Sequence, residues 1–514
     1  MDSLIVCLYY LPIITLLVVI FKSTKTVLYG PLSKLPGPWY TNCTDAVLRC
    51  KAIRGMKAIY VDNLHKEYGS VVRISPSEVS LRDPSVTRQI YNVKGEFLKA
   101  EFYDRLSGGT VNVFNTRDVE VHRRWRRLLS AGMTETSLAT HLPVVEGKIR
   151  FTMQRMQEEM EQRKAVANSA LANPSACWRQ DKSVIVYPSI AGDTMATNTL
   201  NQKNQFLEDL AFTNKAGGIR VNFPFLIKLG QYIPIPVIKD AIVNRERACQ
   251  YTEQAIARHS QLVEEKGEET KPTLLSKLYK AGEDGMSFHE VCNNAVAYVL
   301  AGSDTTVHSD PFIKEQFQPQ TPILIPSPQA NTLTYLVWEV CKNAEIKKRL
   351  LEEVLTLPEN YGYDEVKALP YLNFVIEEAL RLYPAGPAGL QRDVPPGGAE
   401  FMGHYIPSGY VVSVGAYSMH HNPSVFPDPE RFDPSRWVSP TKDMKDSFVP
   451  FGGGSRVCLG VNLARMELRL ATARFFKTFL NARVSLAEGF CDADMEPEMY
   501  FMLSPKSKRC LIEV

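Results

Sequence analysis

The sequence predicts a mainly α-helical protein with a small β subdomain, built as a single large domain behind an N-terminal membrane anchor. Three observations carry this. Residues 3–21 form an uncharged apolar stretch of 19 residues, close to the roughly 20 needed to span a bilayer. Residues 461–480 place Leu463, Met466, Leu470 and Ala473 at helical spacing with no Pro or Gly, which marks a long helix. Short runs at 71–81 and 405–412 read as strands and turns. A chain of 514 residues suggests several domains by length alone, yet no linker rich in Ser, Gly or charge divides its middle. One large helical domain is the better fit.

Composition narrows the class of partner. Lys and Arg number 59 against 56 Asp and Glu, a net charge of only +3 with no long basic run, so nucleic acid is excluded as a partner. The ten cysteines are scattered, with no Cys-x-x-Cys pair and no zinc-like spacing. That usage suits a reducing compartment.

At the N-terminal end, Asp2 precedes the apolar run, Lys22 and Lys25 follow it, and no small-x-small cleavage site comes after. The run at 1–21 is therefore expected to be an anchor held in membrane lipid rather than a cleaved signal, and the positive-inside rule puts the body of the protein in the cytoplasm. Pro36 and Pro38 cannot continue a helix, which makes residues 22–40 a stiff hinge before the domain at 41–514. Next, Val71 to Leu81 alternates around Pro76 as a small hairpin. In His122-Arg123-Arg124-Trp125-Arg126-Arg127, His122 and Arg126 lie four apart on one helix face, where two donors can hold a pair of carboxylates. Arg123, Arg124 and Arg127 read as a solvated basic face.

The middle of the chain is quieter. Residues 149–163 read as a polar helix, 168–183 as an irregular surface connection, and 221–238, with Pro224, Pro234 and Pro236, as a greasy loop. Residues 290–302 form a helical run leading into Ala301-Gly302-Ser303-Asp304-Thr305-Thr306. An alcohol beside a carboxylate can relay protons through water; the same pair also fits a solvated helix face. The following 23 residues, 307–329, contain five prolines that a helix interior cannot accept. Residues 330–336 read as the direct continuation of Thr306. The insert begins with Val, whose codons start with GT, and ends with Gln, whose codon can end in AG, in frame. It is either an unspliced intron, with the working protein joining Thr306 to Ala330, or a genuine loop that breaks the helix.

Further on, Glu378 and Arg381 stand three apart on one helix face and can pair. Residues 385–389 are small residues around Pro387, and Pro429-Glu430-Arg431-Phe432 follows some 50 residues after the pair. The decapeptide Phe451-Gly452-Gly453-Gly454-Ser455-Arg456-Val457-Cys458-Leu459-Gly460 then offers one thiol on a glycine-rich turn at the mouth of the long helix. There the helix dipole and free N–H groups favour a thiolate over a thiol. Cys458 is thus a candidate metal ligand, with a buried structural cysteine as the bland alternative, and Arg456 can meet an acidic group on a flat cofactor.

Phe451, Gly454, Arg456, Cys458 and Gly460 match without a mismatch the haem-ligand signature of the cytochrome P-450 family, and the chain resembles that family over nearly its whole length. The resemblance implies the cytochrome P-450 fold and a haem b cofactor bound through the thiolate of Cys458. It implies that His122, Arg126 and Arg392 bind the haem propionates, that Asp304 and Thr305 supply protons for dioxygen cleavage, and that 385–389 line the substrate cavity. A lid over the substrate channel is implied positionally at 221–238. Glu378, Arg381 and Arg431 are expected to lock a buried network behind the haem. The activity implied is a monooxygenase acting on a lipophilic small molecule, in general style a fungal oxidase of secondary metabolism.

No flavin or nicotinamide fingerprint is present, so electrons must come from another protein. The anchor points to an NADPH-dependent flavoprotein reductase, with a cytochrome b-type protein as the other donor, in the endoplasmic reticulum membrane with the catalytic domain facing the cytoplasm. Arg436, Lys442, Arg465 and Arg469 lie near Cys458 in sequence and read either as a basic dock for it or as ordinary solvated charges. Two other functions stay open: an isomerase or dehydratase on the same fold, against which the intact Asp304 and Thr305 argue, and a non-catalytic haem-binding membrane protein if the insert is genuine.

Overall fold

The computed structural model describes residues 30–91, 96–107, 110–157 except 144, 148 and 155, 285–295, and 331–514 except 508 and 509, with short pieces at 27, 29, 183–185, 221–223, 250 and 297. The anchor at 3–21, the pair Asp304 and Thr305, the insert at 307–329 and nearly all of 168–183 and 221–238 lie outside the described residues. Among the described residues no helix is long and apolar enough to cross a membrane.

The main core is helix packed on helix. The Pro370–Leu382 helix starts on a proline, whose missing N–H costs nothing in the first turn, and Pro384 follows its end. Its buried side chains Leu372, Val375, Ile376 and Ala379 belong to one cluster with the Asn331–Lys342 helix (Tyr335, Leu336, Val340) and the Val461–Thr478 helix (Leu470, Ala473, Phe476). The Ala344–Val354 helix joins this cluster through Leu350 and Val354. Asn343 caps it by accepting from the N–H groups of Glu345 and Ile346, each at 3.1 Å. The helix predicted at 461–480 is therefore present as Val461–Thr478.

Among the described residues the β part comprises four small sheets, the largest of four strands. Its order is Val71–Ser75, Glu78–Leu81, Val411–Ser413, Arg392–Asp393, with the central pair parallel and the outer pairs antiparallel. The expected hairpin sets Val71 opposite Leu81 and Val72 opposite Ser80. Both of its faces are buried. Val71, Val79 and Leu81 pack with Leu32 and Leu35, whereas Val72 and Ile74 pack with Leu48, Val61 and Leu64.

The proline-rich segment is stitched to this sheet. Arg73 donates from Nη1 to the carbonyls of Leu32 and Leu35 at 2.8 and 2.9 Å, from Nη2 to Pro38 at 3.2 Å and from Nε to Thr41 Oγ1 at 3.0 Å. Gly37 has φ +149°, and a Cβ there would stand 2.5 Å from the Arg73 carbonyl oxygen. Only glycine lets the two backbones meet at that distance.

His65, His420 and His421 are buried and neutral. His65 sits between the Gly69 carbonyl and Ser80 Oγ, both at 2.8 Å, and burial pushes its pKa down to about 4. His421 stacks on Tyr417 with ring centroids 4.0 Å apart, and burial pushes it down to about 3. His420 is held well below the ordinary histidine range, again by burial. Because these folded pKa values lie below the unfolded value, the unfolded chain binds protons that the folded chain refuses. Stability is fully present above about pH 6.5 and falls as pH drops toward the folded values, by about 1.4 kcal/mol per unit for each histidine. Urea unfolding at pH 7, 6 and 5 should show a steadily falling midpoint, with a shallower fall in the variant H65Q/H421Q. An unchanged midpoint would remove this account.

Candidate functional site

The glycine-rich loop is a closed turn. Gly452 N–H donates to the Val449 carbonyl at 3.0 Å, Gly454–Arg456 makes one turn of 3₁₀ helix, and Cys458 N–H returns to the Phe451 carbonyl at 2.9 Å. Gly453 lies against Tyr91, whose Cβ would be 3.1 Å from a side chain placed there. Two tethers hold the loop to the core. Arg465 lies over the Phe451 ring, 5.5 Å from its centroid, and pairs with Glu377. His420 accepts from Val449 N–H through Nε2 at 2.9 Å while its Nδ1 meets the Arg381 carbonyl at 2.9 Å. Those two bonds set the Nδ1–H tautomer. Sequence reasoning missed His420, because nothing in its neighbours Met419 and His421 says which distant segments it will bridge.

Cys458 ends this turn just ahead of the Val461–Thr478 helix. Its side chain is exposed, yet enough protein surrounds it that burial pushes the thiol pKa up. The Gly460 N–H and the Arg126 charge act in the other direction. Burial and these two groups thus act on the thiol in opposite directions; a bound metal cation would add to the pull toward the thiolate.

Around the thiol stand basic groups from separate elements. His122 and Arg126 come from the Val119–Ser130 helix, which Asp118 caps by accepting from Val121 N–H at 2.9 Å. Arg126 donates to the Val457 carbonyl next to Cys458. Arg456 donates to the Thr116 carbonyl at 2.8 Å, and burial, then the charge of Arg392, pulls it down to about 10. Arg392, on its short strand, lies over the Tyr91 ring at 5.1 Å and donates to Tyr103 Oη at 3.3 Å. Burial pushes His122 down to about 3, followed by the charges of Arg456, Lys99 and Arg126. The structure thus brings His122, Arg126, Arg392 and Arg456 into one mutually repelling cluster beside Cys458. Lys99 belongs to the same cluster and was missed, since a lone lysine in a sequence reads as solvated.

Behind the loop, Glu378 and Arg381 form the expected pair, fully buried, with Arg381 Nε and Nη2 at 2.9 and 2.8 Å from the carboxylate. The third member is corrected from Arg431 to Arg436. A turn that carries Asp428 at φ +49° leaves the Arg431 side chain exposed, and only its backbone carbonyl accepts from Arg381, at 3.1 Å. The 3₁₀ helix Pro434–Val438 instead brings Arg436 Nε to 3.3 Å and Trp437 Nε1 to 2.9 Å from Glu378.

Similar contacts engage the four residues of the expected basic dock. Arg436 is bound to Glu378, Arg465 to Glu377, and Arg469 to Asn373 and Tyr363 Oη at 2.8 and 2.9 Å. Lys442 alone of the four is largely exposed, and it pairs with Asp446 at 3.0 Å. Arg436, Arg465 and Arg469 are thus engaged by side chains of the fold, while Lys442 stays exposed.

The residues present fit a haem. An accessible thiol stands beside a cluster of basic groups that repel one another, which is what two propionates would neutralise. When bound, the haem supplies the dioxygen chemistry through thiolate-ligated iron.

Comparison with known proteins agrees. The Cytochrome P450 family model matches residues 36–309 and 328–511. The chain is 39% identical over 506 residues to Cytochrome P450 monooxygenase tazI of Aspergillus terreus, covering 98% of each chain. It is 34% identical to Cytochrome P450 monooxygenase orf2 of Aspergillus niger, covering 96% of each. Among solved structures it resembles a retinoic acid bound cyanobacterial CYP120A1, with a TM-score of 0.62 and 18% identity over 88% of this chain and 92% of that one. The chain therefore belongs to the cytochrome P450 family and is a haem-thiolate monooxygenase.

Proposed function

We propose that Cys458 is the axial thiolate, that His122, Arg126, Arg392 and Arg456 hold the haem propionates, and that Asp304 and Thr305 deliver protons to dioxygen. The carrying observation is Arg126 bound to the Val457 carbonyl next to the accessible Cys458, with Arg456, Arg392 and His122 from separate elements gathered around it. His122 acts as a neutral N–H donor, because burial, and then its cationic neighbours, keep it unprotonated. The arginines supply the charge. The substrate is a lipophilic small molecule of fungal secondary metabolism, a reading supported by relatives from Aspergillus species. Electrons come from a membrane-bound NADPH flavoprotein reductase: the lack of any flavin or nicotinamide fingerprint supports an external donor, and the anchor supports a membrane-bound one.

The protein is held in the endoplasmic reticulum membrane by residues 1–21, with the domain in the cytoplasm. Tyr29 and Trp39, 80% and 77% exposed, support this, since exposed aromatics just beyond an anchor suit the membrane–water interface. The working protein joins Thr306 to Ala330. The family match supports this by stopping at 309 and resuming at 328.

The test is to express the joined form and the chain as written, each with a reductase, and to screen lipophilic metabolites for Soret shifts and oxygenated products. The joined form should load haem and turn over, while the uninterrupted chain should fall well short of it. Equal haem content and turnover in the two forms would show that the insert is genuine.

A further inference from the structure

We propose that Lys99 is a further haem-propionate ligand, its ammonium aimed by an aromatic clamp and joined to Arg392 and Arg456 in one anion-binding set. This rests on the haem reading of the site. Lys99 comes from the segment between Tyr91 and the Phe102–Ser107 helix, apart from every motif considered above. It pairs with Arg392 through an isolated antiparallel bridge, so the two basic side chains leave neighbouring backbone. Its amine lies 4.2 Å from the Tyr103 ring centroid and 4.4 Å from that of Phe114, and it donates to the Phe114 carbonyl. Arg392 shares the Tyr103 ring, at 5.9 Å, and its hydroxyl.

A lysine normally keeps its charged head in water. Lys99 is only 5% exposed. The charges that act on it, those of Arg392, Arg456 and Arg126, are all positive, and with burial they hold its pKa well below the usual lysine range. Two ring faces and one carbonyl compensate a buried ammonium only in part. A carboxylate arriving from the cofactor would complete the shell and relieve the repulsion among the three. The backbone around Lys99 is fixed for this. Its carbonyl accepts from Arg117 Nε at 2.9 Å, and Asp393 N–H donates to the Leu98 carbonyl at 2.9 Å.

The test compares purified ferric holoenzymes of the wild type, Lys99→Met and Lys99→Arg. Haem loss to excess apomyoglobin should be about tenfold faster in Lys99→Met, the loss of one charge-assisted bond, and near the wild-type rate in Lys99→Arg. The propionate bending bands in resonance Raman should shift in Lys99→Met only. If Lys99→Met cannot be loaded while Lys99→Arg can, charge is again the deciding property and the proposal stands. Haem loss from Lys99→Met at the wild-type rate, or equal instability of both variants, would overturn it, since packing would then explain the position. A red-shifted carbon monoxide band in the wild type separates this failure from failure of the thiolate reading itself, which would remove both.

Discussion

Replacing Cys458 by alanine should abolish the red-shifted Soret band of the reduced, carbon monoxide-bound protein and reduce monooxygenase activity to background, while leaving the fold in place. The geometry separates the two effects. It is the backbone N–H of Cys458, not its side chain, that closes the turn onto Phe451. The loop is otherwise held by Arg465 over Phe451 and by His420 on Val449. Alanine keeps all of these bonds and removes only the sulfur. Far-ultraviolet circular dichroism should therefore match the wild type while the spectrum of the cofactor does not. Substituting Thr305 gives the opposite signature: the band survives, and oxygen insertion falls by about 10²–10⁴, the range for loss of a positioned proton donor. A red-shifted band in the Cys458 variant would assign the iron to another ligand.

The second large effect is expected at the buried ion pair. Glu378 accepts from Arg381, Arg436 and Trp437 and from Asp433 N–H at 2.9 Å, and Arg381 also donates to the carbonyls of His420 at 2.9 Å and Pro429 at 2.7 Å. Neither side chain of the pair has any exposure. Arg381→Met should cost about 3–5 kcal/mol, because it leaves a desolvated carboxylate and orphaned carbonyls. That is a large part of the roughly 5–15 kcal/mol that holds a folded protein together. Little haem-loaded protein should accumulate, and its thermal midpoint should drop steeply. Replacing both partners by apolar residues should not restore stability, since Trp437, Asp433 N–H and three carbonyls would still lack their partners. A double variant as stable as the wild type would show that the pair is dispensable.

The local features were legible in the sequence because their physics is local. Helical spacing announced the Val461–Thr478 helix, alternation around Pro76 announced the hairpin, and a three-residue spacing announced the Glu378–Arg381 pair. Each depends on residues within one turn or one hairpin of each other. The motif around Cys458 was equally readable, being ten consecutive residues.

Where chain segments far apart in sequence meet, the reading lost its grip. Arg431 and Arg436 are both arginines near the same motif, and the turn at Asp428 decides which of them reaches Glu378. The four cations of the expected dock are engaged by Glu378, Glu377, Asn373, Tyr363 and Asp446, and no spacing rule selects those partners. Lys99 is the sharpest case. Its sequence neighbours, Leu98 and Ala100, say nothing of burial, yet Tyr103 and Phe114 close over it and Arg392 comes from almost 300 residues away. The Val461–Thr478 helix, the hairpin and the thiol loop could be read from their own residues, because backbone propensity and short-range spacing act within one segment. Only the tertiary structure decided which charges are buried and what they face, because desolvation and charge repulsion depend on every segment that packs nearby.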